Sequence, residues 1–265
     1  MQQPQDIIRR GVAVVTGASD GLGRALAVEL NRRGVLVAGL VRGEAGLAET
    51  ARLCGNERFV AKVVDIGEDA AVQAAFSDIR KEIGDITILV NNAAVYPRRD
   101  ILEETPASFM KTVQINLGGV VSCTAAALET MVDTGVGRIV NVSTFADRAP
   151  APCASAYSVS KGAARIFSEA VVSDLSDRFP DIVVSTWMPG ILATSMGLPS
   201  GLDPALVARW GAHLALWHDR SLNGVTFSAD QELVPIRSFR RKIKDAMLFR
   251  KAPPPRRLSG EASAG

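Results

Sequence analysis

Tyr157 and Lys161 stand four residues apart in a stretch with helical spacing, so their side chains share one face, one turn apart. A phenol with an ordinary pKa of about 10 is a poor acid or base at neutral pH, and a nearby ammonium favours the phenolate. The pair therefore reads as a proton relay in which Lys161 draws the Tyr157 pKa down. A second constellation lies near the start of the chain. Gly17, Ser19, Asp20, Gly21, Leu22 and Gly23 follow directly after the apolar run Val12 to Thr16 and open into a helical pattern. Glycines in such a turn let the backbone bend tightly against a pyrophosphate, whose charge is favoured by the free N–H groups and dipole of the helix start. That is the chemistry of dinucleotide binding. Arg42 ends the second apolar run, where a ribose would fall. A guanidinium suits the 2′-phosphate of NADP, whereas the 2′-hydroxyl of NAD is met by an acid. Asp20, in the glycine turn, argues the other way, and the balance favours NADP(H) over NAD(H).

Positioning these groups requires a regular scaffold. Val12 to Thr16, Val35 to Val41, Phe59 to Val64, Thr87 to Val90, Arg138 to Val142, Ile182 to Trp187 and Val225 to Ser228 read as strands, the first six as nearly continuous apolar runs. Helical spacing occupies Leu22 to Arg33, Ala45 to Leu53, Asp69 to Ile83, Pro106 to Val132, Ser155 to Arg178 and Pro204 to Trp217. Strands alternating with helices require right-handed crossovers over a parallel sheet. The expected fold class is α/β, a Rossmann-like doubly wound parallel β-sheet of about seven strands with helices on both faces. No linker or repeat interrupts the pattern, so residues 1–234 read as a single domain, with a loop over about 191–204. Residues 235–265 form an extension in which Phe239 to Phe249 suits a basic helix and the end, from Ala252, is expected to lack fixed structure.

Composition narrows the function classes. A chain of 265 residues that is 47% apolar and 22% charged is globular rather than disordered, collagen-like or disulfide-framed. Its net charge of +2 conceals an asymmetry: residues 235–265 hold nine Lys or Arg against two acids, leaving a body of −5. No recognition motif accompanies the basic tail, so no nucleic acid is expected. Cys54, Cys123 and Cys153 are scattered and lack zinc-ligand spacing with His213 and His218, so no metal site is expected. Free thiols, and no run of signal-peptide or membrane-span length, suit the cytoplasm.

Five ordered motifs resemble the short-chain dehydrogenase/reductase family in its shorter single-domain form, over roughly residues 10 to 230. The glycine turn reads T-G-x-x-x-G-x-G; Asn91, Asn92, Ala93 and Ala94 stand where the family has N-N-A-G; Asn116 lies in the long fourth helix; Tyr157 and Lys161 supply Y-x-x-x-K; and Pro189, Gly190, Ile191 and Thr194 fall in P-G-x-x-x-T. The resemblance implies hydride transfer between nicotinamide C4 and a carbonyl or secondary alcohol, with Tyr157 as acid or base. It places Asn91, Ala93, Pro189, Gly190, Ile191 and Thr194 at the cofactor, Asp65 and Ile66 at its adenine, and Lys161 at the nicotinamide ribose. Asp65 also reads as a plain strand-end cap. Counting back 13 residues from Tyr157, as in the family, puts the substrate-orienting hydroxyl on Thr144, with Ser143 as the fallback. Asn116 is implied to hold a water chain. Thr144 for serine and Ala94 for glycine depart from the family pattern.

The expected loop carries Met196, Leu198, Pro199 and Leu202, an apolar lid suited to an alicyclic, aromatic or acyl ketone. Arg98 and Arg99, after Tyr96, read more readily as a solvated loop than as a seat for an anion. Trp210, Trp217 and neighbouring leucines suit helix packing or a subunit interface, and the resemblance implies a homodimer or homotetramer. The basic extension suits docking at a neighbouring subunit or acidic surface, or covering the active site against the acidic body. Together these readings favour an NADPH-dependent ketoreductase or alcohol dehydrogenase. The alternative is a dinucleotide-binding regulator or scaffold without turnover.

Overall fold

The computed structural model describes residues 3–44, 46–55, 57–234 and 254–259. Among them one sheet runs in the order β3-β2-β1-β4-β5-β6-β7-β8. Its strands are β1 (Val12–Thr16), β2 (Leu36–Val41), β3 (Phe59–Val63), β4 (Ile86–Asn91), β5 (Gly137–Val142), β6 (Ile182–Met188), β7 (Thr226–Ser228) and β8 (Gln231–Glu232). The first seven are parallel, and β8, which the sequence did not signal, returns antiparallel along β7. Every residue of β1, β4 and β6 is buried, which is why these strands read as unbroken apolar runs rather than as alternation. Strand β1 lies between β2 and β4, so the chain reverses its direction of winding there and leaves a crevice at the carboxyl ends of the strands.

Helices cover both faces. One holds α1 (Pro4–Arg10), α2 (Gly21–Arg32) and α8 (Pro204–Leu216), packed through Ile8, Leu26, Leu30 and Val207 onto Trp187 and Phe227. A Cβ on Gly211 would stand 2.5 Å from the Trp187 ring, so glycine there sets how closely α8 approaches β6. The other face holds α4 (Asp69–Glu82), α6 (Gly119–Thr134) and α7 (Ser155–Leu175), through Phe76, Ile79, Met131 and Val171. The short α3 (Leu47–Cys54) lies beside β3. Helix α1 also went unread: it is short, and a single fully buried residue, Ile8, anchors it, while Thr87 Oγ1 donates to the Ile8 carbonyl.

The stretch expected as one helix from Pro106 to Val132 is three pieces. Helix α5 (Pro106–Val113), begun by a Thr105/Ser108 capping box, passes through a π turn, Gln114–Gly118, into α6. The apolar pattern runs on through the wider turn and hides it. By length and composition the whole of Pro106–Thr134 would suffice to cross a membrane, but here it packs as a core helix, with Cys123, Ala126 and Met131 buried.

Arg138, in β5, is fully buried. Its guanidinium donates to the carbonyls of Leu214, Trp217, Ile139 and Val183 and to Ser185 Oγ, at 3.0–3.1 Å. Two of these acceptors end α8, where unpaired carbonyls concentrate negative charge. The basic helix expected over Phe239 to Phe249 lies outside the described residues. The chain end was expected to be without structure, but residues 254–259 lie against the body. Arg256 pairs with Glu232 and stands over the Trp217 ring, Arg257 bridges to Gln231, and Leu258 is buried beside α8. This segment lines the β8 edge and does not cover the crevice.

Candidate active site

A cleft of about 710 Å³ opens at the reversal point, between the glycine turn, the ends of β2 to β6, α7 and residues 189–198. Its size is that of a cofactor or substrate pocket. The glycine turn forms one wall. Gly17 has φ +70° and Gly21 φ +49°, a backbone that L side chains rarely adopt, and a Cβ on Gly23 would fall 2.0 Å from the Gly17 carbonyl oxygen. Asp20 does not cap α2 with its side chain, and Gly21, Leu22 and Gly23 line the cleft, so the first-turn N–H groups of α2 remain for an anion. Thr16 Oγ1 accepts from the N–H groups of Asn92 and Ala93, and Asn92 Nδ2 donates to the Thr16 carbonyl at 3.0 Å. Asn92, which sequence reasoning quoted without giving it a role, thus binds the turn to the end of β4. Its only sequence signal was its place beside Asn91.

Of the residues expected at a cofactor, Gly17, Ser19, Asp20, Gly21, Leu22, Gly23, Arg42, Asp65, Ile66, Ala93, Pro189, Gly190, Ile191 and Thr194 all line the cleft. Asp65 also accepts from the Gly67 N–H at 2.9 Å, so the capping reading and the lining reading are both realised. Asn91 is different. Its side chain points into the core, donating to Asn141 Oδ1 at 2.8 Å and Thr124 Oγ1 at 3.2 Å, and it does not reach the cleft. The fully buried end of β4 leaves an amide there no route outward, so it cross-links β4, β5 and α6 instead.

Tyr157 and Lys161 meet on the cleft side of α7. Lys161 is buried, its ammonium donates to the Val142 carbonyl at 3.0 Å, and burial lowers its pKa to about 8. The expected depression of Tyr157 by Lys161 is not found. Burial, the largest influence, raises the Tyr157 pKa; the Thr144 hydroxyl beside the phenol lowers it; and the neighbouring Tyr96 raises it. The ammonium is instead bonded to the Val142 carbonyl. Thr144 reaches Tyr157 and also accepts from the Ala146 N–H at 3.2 Å, whereas Ser143 Oγ is buried without a hydrogen-bond partner. Both line the cleft, but only Thr144 joins the tyrosine.

Asn116 lies behind the cleft wall. It sits in the π turn, fully buried, and its amide is consumed: Oδ1 accepts from the Val95 N–H, while Nδ2 donates to the Val95 carbonyl and to Ser160 Oγ, which in turn donates to the Tyr157 carbonyl. With its amide engaged by Val95 and Ser160, the side chain anchors residue 95 and α7.

The segment after Val95 supplies a wall that the motifs did not mark. The Tyr96 ring stacks on Tyr157, centroids 4.4 Å apart at 30°. The two arginines, read together as a solvated loop, separate: Arg99 pairs with the nearly buried Glu104 carboxylate at 2.9 Å, while Arg98 lines the cleft over the Tyr96 ring at 5.5 Å. Opposite, Met196 and Leu198 of the lid face the cleft, and Ser195 Oγ donates to Asp20 at 3.1 Å, joining lid to glycine turn.

A glycine cradle at a helix start, a buried lysine with spare donors and a phenol beside a second hydroxyl fit a dinucleotide laid beside a proton donor. That is the site of a dinucleotide-dependent oxidoreductase on a doubly wound sheet. Comparison with known proteins agrees: a family model described as short chain dehydrogenase matches residues 11–203, and the chain belongs to that family. It is 29% identical to the 3-oxoacyl-[acyl-carrier-protein] reductase of Haemophilus influenzae over 70% of this chain and 75% of that one. It is 33% identical to 2-(R)-hydroxypropyl-CoM dehydrogenase of Xanthobacter autotrophicus, covering 70% and 76%, and 30% identical to carbonyl reductase [NADPH] 2 of Sus scrofa, covering 74% and 78%. The protein is an oxidoreductase, and its family implies a nicotinamide cofactor.

Proposed function

We propose that this enzyme is an NADPH-dependent ketoreductase that reduces a small carbonyl compound to a secondary alcohol. The observation that carries the reading is that Tyr157, Thr144 and the buried Lys161 line one glycine-walled cleft. A bound nicotinamide supplies the hydride. Tyr157 donates the proton to the carbonyl oxygen, and Thr144 holds that oxygen in line by a second hydrogen bond. Burial, which raises the Tyr157 pKa, keeps the phenol in its proton-donating form. Lys161, anchored on Val142, would offer its remaining N–H groups to the ribose hydroxyls of a bound cofactor.

Arg42 supports the choice of NADP: it lines the cleft at the ribose end and has no ion pair among the described residues, so its charge is free for a 2′-phosphate. The pig relative's name also includes NADPH. The same reading puts the enzyme in the cytoplasm, where the free thiols of Cys54, Cys123 and Cys153 stay reduced, as a homodimer or homotetramer. Following NADPH and NADH oxidation over a panel of alicyclic, aromatic and acyl ketones tests it. Turnover with NADPH preferred is the expected result; tight NADPH binding with no turnover on any carbonyl would point to a regulator instead.

A further inference from the structure

The charges around the cleft are unevenly spread. Five charged residues line it, and three of them, Asp20, Arg42 and Asp65, follow β1, β2 and β3 at the cofactor end. Lys161 lies beneath the tyrosine. The substrate end is walled by Phe145, Ala149, Met196 and Leu198, and its single formal charge is Arg98.

Arg98 is held at this place rather than loose. Before it, residue 95 is clamped by two hydrogen bonds with Asn116, one given and one received; after it, the Arg99 N–H donates to the Cys153 carbonyl at 3.1 Å and the Arg99 side chain is tied to Glu104. Between these anchors Tyr96 stacks on Tyr157, and the Arg98 guanidinium stands over Tyr96. The guanidinium thus lies within about 10 Å of the Tyr157 ring, the two legs of that stack laid end to end. Among the described residues no carboxylate pairs with Arg98, in contrast to Arg99 beside it. An unpaired, planar, always-charged donor set facing an apolar pocket is suited to a carboxylate, sulfonate or phosphate.

We infer that Arg98 selects the substrate, and that the substrate is a carbonyl compound bearing an anionic group, whose oxyanion docks on Arg98 while its ketone lies at Tyr157. This rests on the reductase reading above and deepens it. Arg98 forms no bond to the reacting atoms; it sets which ketones enter and in what orientation.

The test compares oxo acids with their methyl esters, aliphatic and aryl, with the carboxylate two to four carbons from the ketone. It uses wild type, Arg98→Ala, and Arg98→Met, which keeps an unbranched stem over Tyr96 without the charge. The wild type should favour an acid over its ester by at least tenfold in kcat/KM, with the acid's KM rising with ionic strength and the ester's not. Both variants should lose that preference, the acid's kcat/KM falling at least tenfold more than the ester's. Equal kcat/KM for acid and ester in the wild type, or equal losses on both in the variants, would overturn the inference. Calorimetric titration of each ligand into NADP-loaded protein keeps the two readings apart: if no carbonyl is reduced, the reductase reading fails, yet acid binding that exceeds ester binding and is lost in Arg98→Met still supports the anion seat. Acid and ester binding alike would overturn the seat whatever the turnover.

Discussion

Arg138 and Lys161 are both fully buried cations, on opposite faces of the sheet, and among the described residues neither has a carboxylate partner. Burial lowers both pKa values, Arg138 to about 9 and Lys161 to about 8. The surroundings differ. Arg138 is met by four carbonyls and a hydroxyl and touches no cleft, whereas Lys161 makes one protein hydrogen bond and faces an open one. A buried cation spent on backbone carbonyls belongs to the scaffold; one that faces a cleft with most of its donors unused marks where a ligand completes the set. The same contrast divides Arg99 from Arg98 on the cleft rim.

Substitutions should separate the two roles. Lys161→Met should lower ketone turnover by about a thousandfold and weaken NADPH binding, while its thermal midpoint at neutral pH is at least that of the wild type, since a costly buried charge is gone. Arg138→Met should do the reverse. It leaves several carbonyls unpaired and loosens the end of α8, for a loss on the order of 3 kcal/mol in urea unfolding, with kcat/KM per folded molecule kept within about twofold. Thr144→Val should cost roughly a hundredfold in kcat/KM, whereas Thr144→Ser, which keeps the hydroxyl, should stay within a few-fold. Equal effects of Val and Ser would sink the orienting role.

The smallest effect concerns pH. Lys161 titrates at about 8 in the folded chain, below its ordinary value of 10.5. Between those values the unfolded chain binds more protons, so Lys161 makes stability rise as pH climbs through that window, and below about 8 its full cost is present. Urea midpoints at pH values near 7.5 and 9.5 should differ less in Lys161→Met than in the wild type.

Much of this site was legible in the sequence because its parts are local. Gly17 and Gly21 announce a backbone that L side chains rarely adopt, Gly23 a place with no room for a Cβ, and Tyr157 and Lys161 share a face through helix periodicity alone. What stayed hidden depends on distant partners. Asn91 and Asn92 are identical in type, yet a strand-end position turns one into the core and leaves the other to brace the glycine turn. The π turn at Asn116 leaves no trace in an apolar pattern that continues through it. The Tyr157 pKa could be argued from its neighbour Lys161, but burial, the influence that prevails, follows from the packing of the whole cleft. Likewise Arg98 and Arg99 read alike until Glu104 claims one of them.

The central claim is that Tyr157 is the proton donor of a carbonyl reductase, and Tyr157→Phe tests it most directly, since it removes one oxygen and keeps the stacked ring. With NADPH affinity measured by titration and NADPH oxidation followed on the best ketone substrate, the variant should bind NADPH as the wild type does and lose turnover by at least about a thousandfold. Retention of most of the wild-type rate would contradict it.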